Sequence, residues 1–215
     1  MTLPVILLGA GGHAKVVLDI LLALNRQVLG VCDPQLASND MTGWRGLPVL
    51  GGDDEILNYP PDTLELANGV GSMPGNWLRR RLHEHFVKKG YRFATLVHPT
   101  AVLGTGVSLG HGAQVMAGSI VQADSHIGDD TILNTAVRLD HDGRIGSHAH
   151  LAPGVVISGC VTVEERAHIG PGATLIQGVT VGADAVVGAG TVVIRDIPAC
   201  HQQTGQPPRH PKPLK

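Results

Sequence analysis

The sequence predicts an α/β N-terminal domain of Rossmann-like build followed by an all-β solenoid of short parallel strands. Three features predict it: a six-residue aliphatic beat that runs unbroken from residue 97 to residue 193, a glycine loop between an apolar strand and a helical stretch near the N-terminus, and 29 glycines with only 3% aromatic residues in a chain of 215. A core made this way is filled by Val, Leu, Ile and Ala. Collagen would need glycine at every third residue and a disordered chain would carry fewer aliphatics, so neither fits. The limits that follow are 1–96 for the α/β domain, 97–195 for the solenoid and 196–215 for a C-terminal tail.

The α/β part opens with an apolar strand over residues 4–8, then the loop Gly9-Ala-Gly-Gly-His13, a helix over 14–24 and a second strand over 27–32 that ends at Asp33. In such a β-α-β unit the glycines let backbone amides at a helix N-terminus approach a phosphate. Gly9-x-Gly11-x-x-Ala14 with an acid after the second strand nearly matches the dinucleotide fingerprint. However, His13 and Lys15 would crowd a pyrophosphate, and only one or two further strands, around residues 63–69 and 92–96, fit ahead of the solenoid. A purely structural glycine turn is the alternative. His83-Glu-His85 looks like a ligand pair, but positions i and i+2 face apart on the helix expected there, so a solvated face is predicted.

The solenoid rests on counting. Stepping by six from Val97 gives Leu103, Leu109, Val115, Val121, Ile127 and onward to Val187 and Val193, a branched aliphatic at every step. Four residues after each comes a second series (Ala101, Val107, Ala113 and so on) that is small or β-branched throughout. Six is a multiple of the strand period of two and not of the helical 3.6, so a helix would scatter these positions around its axis. The residue after the aliphatic is often glycine (Gly104, Gly110, Gly128, Gly146, Gly170, Gly182, Gly188), as expected where the chain turns through conformations costly to other side chains.

Charge excludes several partners. Lys and Arg total 16 against 18 Asp and Glu, spread along the chain, so no basic footprint exists for a nucleic acid or an anionic membrane. Cys32, Cys160 and Cys200 stand far apart without CxxC spacing, which suggests free thiols in a reducing, cytoplasmic setting. The N-terminus lacks a basic leader, and its apolar run stops at the glycine loop, so neither a signal peptide nor a membrane span is expected.

The beat resembles that of the hexapeptide-repeat acyltransferase family, which implies three hexapeptides to a triangular, left-handed coil, a homotrimer with active sites in the clefts between subunits, and acetyl-CoA as co-substrate. With the Gly-Ala-Gly-Gly-His loop ahead of it, the chain more narrowly resembles bacterial sugar acetyltransferases of the sialic-acid O-acetyltransferase type, nearest to those acting on nucleotide-linked 4-amino sugars. That resemblance implies N-acetylation of a nucleotide-linked amino sugar, with GDP-perosamine favoured, in the assembly of a lipopolysaccharide O-antigen. It assigns substrate binding to Gly11, Gly12, His13, Asp33 and, in Gly69-Val-Gly71-Ser72, Gly71. Some relatives carry two acids where this chain has Asp33 followed by Pro34. Gly205-Gln-Pro-Pro-Arg209 resembles the Gly-Asn-Pro-Ala-Arg segment that follows the coil in relatives, and the Pro-rich end beyond it is expected to be a mobile tail.

Asn134-Thr-Ala-Val-Arg-Leu-Asp140-His141-Asp142 resembles the family segment whose histidine is the general base, and His150-Leu-Ala-Pro-Gly154 the segment whose histidine contacts acetyl-CoA. The resemblance extends acetyl-CoA binding to Gly159, Pro171 and Ala189. Chemistry argues for His141 on its own: an amine must be neutral to attack a thioester and must then lose a proton, and histidine titrates in the right range. A neighbouring carboxylate can fix its tautomer and raise its basicity, a role for Asp142 with Asp140 as competitor. Strand neighbours point to opposite faces, so the pairing requires His141 and Asp142 to sit at a corner. A backbone N–H near Gly159 or the His150 ring is the expected oxyanion donor. Direct transfer is expected, with Cys160 packed and no acyl-enzyme. The rivals are O-acetylation of sialic acid or a related sugar, a zinc carbonic anhydrase using the His150 and His168 column, and a non-catalytic trimeric sugar-binding scaffold.

Overall fold

The structure, a computed structural model, describes residues 2–205. Four consecutive apolar residues form β1 (Val5–Leu8), buried along its whole length. After it come α1 (Gly12–Ala23), β2 (Val28–Cys32), α2 (Pro34–Ser38), β3 (Gly43–Trp44), β4 (Leu47–Gly51), β5 (Glu65–Asn68) and α3 (Leu78–Lys88). The sheet runs β3-β4-β2-β1-β5 and is parallel except for the β3–β4 hairpin. A strand buried on both faces needs a continuous apolar run, which explains β1.

The hairpin is absent from the sequence reading. It turns on Arg45 and Gly46, both with positive φ (48° and 81°), a tight turn whose arginine gives a weaker signal than Asn-Gly. Residues 92–96 form no full strand of this sheet: Phe93 makes one bridge to Leu66, and the chain then leaves to begin the solenoid.

From residue 96 the chain winds as a parallel β-helix of two-residue strands with three flat faces. The docking face stacks Leu96–Val97, Gln114–Val115, Ile132–Leu133, His150–Leu151, His168–Ile169, Val186–Val187 and Gln202–Gln203. The apolar face stacks Val102–Leu103, Ile120–Val121, Arg138–Leu139, Val156–Ile157, Thr174–Leu175 and Val192–Val193. The polar face stacks Ser108–Leu109, His126–Ile127, Arg144–Ile145, Thr162–Val163 and Thr180–Val181. In each strand the second residue points inward and the first outward, so the six-residue beat is the core itself, from Val115 to Val193. Gln202–Gln203 pairs with Val186–Val187, so coil pairing continues past residue 195; the Gly205–Arg209 motif lies outside the described residues from 206 onward.

The glycines after the aliphatics serve a different purpose from the expected one. Left-handed φ, between 51° and 76°, falls three residues after each aliphatic from Gly106 to Gly190, on Asp124, Asp130, Ala136, Asp142 and Cys160 as readily as on glycine. The glycine immediately after the aliphatic is needed for close approach: a Cβ on Gly104 would lie 2.7 Å from the Ala123 nitrogen, and one on Gly128 2.5 Å from that of Ser147, in the next coil.

The N-terminal domain covers the docking face. Ala14, Val17, Leu18 and Leu21 of α1 share a core with Leu96, Met116 and Ile132. Polar contacts complete the joint: Gln114 Nε2 donates to the Asn68 carbonyl at 2.9 Å, and Arg79 of α3 meets the fully buried Asp130 at 2.7 Å. Among the described residues no helix is long and apolar enough to cross a membrane.

Candidate active site

His141 and Asp142 lie at the corner between the apolar and polar faces. Asp142 has φ 57°, and this left-handed kink removes the strand alternation that would keep neighbouring side chains apart. The imidazole Nδ1–H donates to Asp142 Oδ2 at 2.7 Å. Asp140 does not compete, because its Oδ1 accepts the His141 backbone N–H at 2.8 Å. With Nδ1 protonated against a carboxylate, Nε2 carries the lone pair. The bond to Asp142 raises the His141 pKa above the ordinary 6.5; desolvation opposes it, and the charges of Asp140 and Asp142 add to the rise.

One coil further on, Gly159 lies under the ring, where a Cβ would come to 2.5 Å from His141 Nε2. Glycine is therefore the residue that lets the imidazole lie there. The Gly159 N–H has no acceptor among the described residues. Cys160 follows and is exposed, not packed, because it occupies the outward turn slot that Asp142 fills in the coil below.

His150 is only 8% exposed and is held at both nitrogens: Nδ1–H donates to the Ser72 carbonyl at 2.9 Å, and Nε2 accepts from Asn134 Nδ2 at 3.2 Å. Desolvation, then the nearby His168, pushes its pKa down to about 3. Its single N–H is already committed, which excludes the ring as an oxyanion donor in this arrangement. The expected stacking with His168 is present, the two rings lying edge to face with centroids 5.0 Å apart.

In the glycine loop, Gly11 is the N-cap of α1 with no side-chain cap, and no atom lies within 4 Å of a Cβ built on Gly11 or Gly12. The first turn of the helix is left open. His13 does not crowd it: the ring turns to the coil, Nε2 meeting Gln114 Oε1 at 2.8 Å, and burial lowers its pKa to about 4. Gly71 packs against His13, a Cβ there lying 3.4 Å from that of the histidine. Asp33 ties the loop down, its Oδ2 accepting from Ala10 N and its Oδ1 from Gln35 N and Leu36 N, each at 2.9 Å.

Pro171 and Ala189 are exposed and stacked at the corner between the docking and apolar faces, beside Gly172 and Gly190, which have nothing within 4 Å of a built Cβ. One chain thus gathers His141, Asp142, Gly159 and Cys160 at one corner and places Pro171 and Ala189 at another. The glycine loop lies with His13 and Gly71 against the docking face.

Sequence reasoning missed a buried cluster at the domain joint. Asp130 contacts Arg79, receives Asn68 Nδ2 at 3.2 Å and faces His148 Nδ1 at 3.2 Å. His83 is 6% exposed and packs between Phe93 and His148, so the solvated face expected for it is not observed. The signal was the i, i+4 spacing of Arg79 and His83, which puts both on one side of α3.

Residues 4–86 match the family model for the PglD N-terminal domain, and residues 160–195 match the bacterial transferase hexapeptide model (six repeats). PerB from Caulobacter crescentus, solved with CoA and GDP-perosamine, is 39% identical, with 94% of each chain covered and a TM-score of 0.85. Perosamine N-acetyltransferase from the same organism has been solved with the same two ligands and a histidine replaced by asparagine or by alanine. The acetyltransferase domain of PglB from Neisseria gonorrhoeae is 32% identical over 94% of this chain and 96% of that one, with a TM-score of 0.86.

Proposed function

The chain belongs to the hexapeptide-repeat sugar acetyltransferases with a PglD-type N-terminal domain, and we propose that it moves the acetyl group of acetyl-CoA to the 4-amino group of a nucleotide-linked sugar, GDP-perosamine being favoured. The observation that carries the chemistry is the Asp142–His141 pair, which holds a histidine in one tautomer at an exposed corner with Nε2 over a glycine. The sugar amine attacks the thioester carbonyl, and His141 Nε2 takes the proton that the new C–N bond expels. As the tetrahedral intermediate collapses the C–S bond breaks, and the same proton passes to the departing CoA sulfur. Asp142 keeps the ring oriented and stabilises the imidazolium. The Gly159 N–H is the proposed donor to the oxyanion.

The open first turn of α1 at Gly11 and Gly12 supports binding of the nucleotide phosphates there, by amides and helix dipole together. His13, Asp33 and Gly71 shape that loop; His13 and Asp33 act through the contacts that anchor it to Gln114 and Ala10. The bare ledge at Pro171 and Ala189 suits the narrow pantetheine arm of acetyl-CoA, and His150 supports the loop at Ser72 on the docking face. Within one chain these parts stand apart. The outward residues of the apolar face, including Val102 and Val192, each 57% exposed, support a homotrimer in which a neighbour's corner closes the site.

The test offers the purified protein acetyl-CoA with GDP-, UDP- and dTDP-linked 4-amino sugars and with sialic acid, and separates acetylated products by chromatography. Turnover on an amine-bearing nucleotide sugar, GDP-perosamine fastest, is expected. Turnover on sialic acid alone would overturn the reading, as would a trapped acetyl-protein.

A further inference from the structure

The corner that carries His141 holds one more donor than acetyl transfer uses. Asp142 and Cys160 fill the same outward slot in successive coils, with φ 57° and 59°, so their side chains stand next to each other. The His141 ring leans over Gly159 into the space between them. One imidazole nitrogen, one Asp142 oxygen and Cys160 Sγ all lie within 4.8 Å of one another, and all three residues are exposed. Asp140 adds a second carboxylate next in the chain.

We propose that this corner is an inhibitory metal site that takes a borderline-soft divalent cation, zinc above all, on the His141 imidazole, the Asp142 carboxylate and the Cys160 thiolate. One nitrogen, one oxygen and one sulfur suit zinc, whereas magnesium and calcium prefer oxygen alone. Bonds of about 2.0–2.3 Å require donors roughly 3.5 Å apart, so the side chains must close in slightly, and exposed ones can do so by rotation. On binding, the thiol proton leaves to solvent and an imidazole lone pair passes to the metal. Ligation at Nε2 removes the lone pair that accepts the substrate proton, and ligation at Nδ1 breaks the bond to Asp142; either way turnover stops. A second trio, His83, Asp130 and His148, spans a similar distance, but Arg79 at 2.7 Å already neutralises Asp130, and a buried cation there would add uncompensated charge.

Binding stands on the geometry alone, while inhibition rests on His141 being the base. The experiment therefore reads the two separately. Cobalt(II) titrated into the full chain should give an intense near-ultraviolet thiolate-to-cobalt charge-transfer band and tetrahedral visible bands. Cys160→Ser should abolish the charge-transfer band, while Cys200→Ser, at the other exposed thiol, should leave it intact. In parallel, zinc should lower acetyl transfer by about 10²-fold or more, the low end of what a positioned base contributes, and a chelator should restore it. Cys160→Ser should keep its metal-free turnover and lose most of that sensitivity. No charge-transfer band in the unaltered protein, or the same band in Cys160→Ser, overturns the metal site. A normal band with unaltered turnover in the presence of zinc overturns the inhibition and, with it, the assignment of His141 as base.

Discussion

At the scale of single residues, the pairing of His141 with Asp142 is a consequence of one backbone angle. In a strand the two side chains would diverge; the left-handed φ of 57° at Asp142 turns its carboxylate back to Nδ1. The pair can be tested apart from folding because both side chains are half exposed, 51% and 58%. The hydrogen bond to Asp142 favours the protonated ring and raises the His141 pKa above 6.5, so the free base is lost as pH falls through that raised value. Asp142→Asn removes the charge and the acceptor's basicity. We expect the acid limb of kcat/KM to move to lower pH, while the maximal rate drops because the imidazolium formed during transfer loses its partner. A pH–rate profile of the two proteins checks this, and an unmoved acid limb would count against Asp142 as the orienting group. His141→Ala is expected to lose about 10²-fold or more in kcat at every pH.

At the scale of elements, the coil was legible because each inward residue touches its counterparts eighteen positions away, so spacing in the chain is spacing in the core. The role of its glycines was not legible, since the sequence does not say how close the next coil comes. The two glycine classes make opposite predictions. Gly128→Ala pushes a Cβ to 2.5 Å from the Ser147 nitrogen and should cost about 1–3 kcal/mol by overpacking, read as a lower Tm. Gly118→Asn, at φ 69° with nothing within 4 Å, should cost less than about 1 kcal/mol, because asparagine tolerates that angle. The domain joint was illegible for another reason: the i, i+4 spacing of Arg79 and His83 and the eighteen-residue spacing of Asp130 and His148 each mark one side of it, but nothing in either part records that the two sides meet when α3 is laid on the coil. The joint also predicts acid sensitivity. His13 and His150 titrate near 4 and 3 when folded, well below 6.5, so the unfolded chain takes protons first and stability is lost as pH falls below about 6.5. Each contributes up to about 1.4 kcal/mol per pH unit over that window. Tm measured between about pH 7 and pH 5 should fall, with a shallower slope in His13→Gln.

At the scale of the whole molecule, the parts of the proposed site are arranged so that no single chain can bring them together. The glycine loop is fixed against the docking face by His13, Gln114 and the α1 core, whereas His141 stands at the corner between the other two faces. A rigid three-faced prism does not fold one corner onto the face opposite, so on the proposed function the loop of one subunit would meet the His141 of another. In the proposed trimer the apolar face would supply the contact, since Ile120, Val156 and Val192 point outward from a core that does not need them. Ile120→Asp should yield a folded monomer by sedimentation and little activity, through loss of assembly alone. A sharper test uses two crippled proteins. Gly11→Leu blocks the open turn of α1 and His141→Ala removes the base, so each homotrimer should be nearly inactive. In a mixed ring of three, one of the three interfaces joins an intact loop to an intact base, whichever protein is in excess. Mixed rings isolated through two affinity tags should therefore recover about a third of normal turnover. If both groups instead came from the same chain, every site in the mixture would still carry one lesion and activity would stay at the level of the two parents.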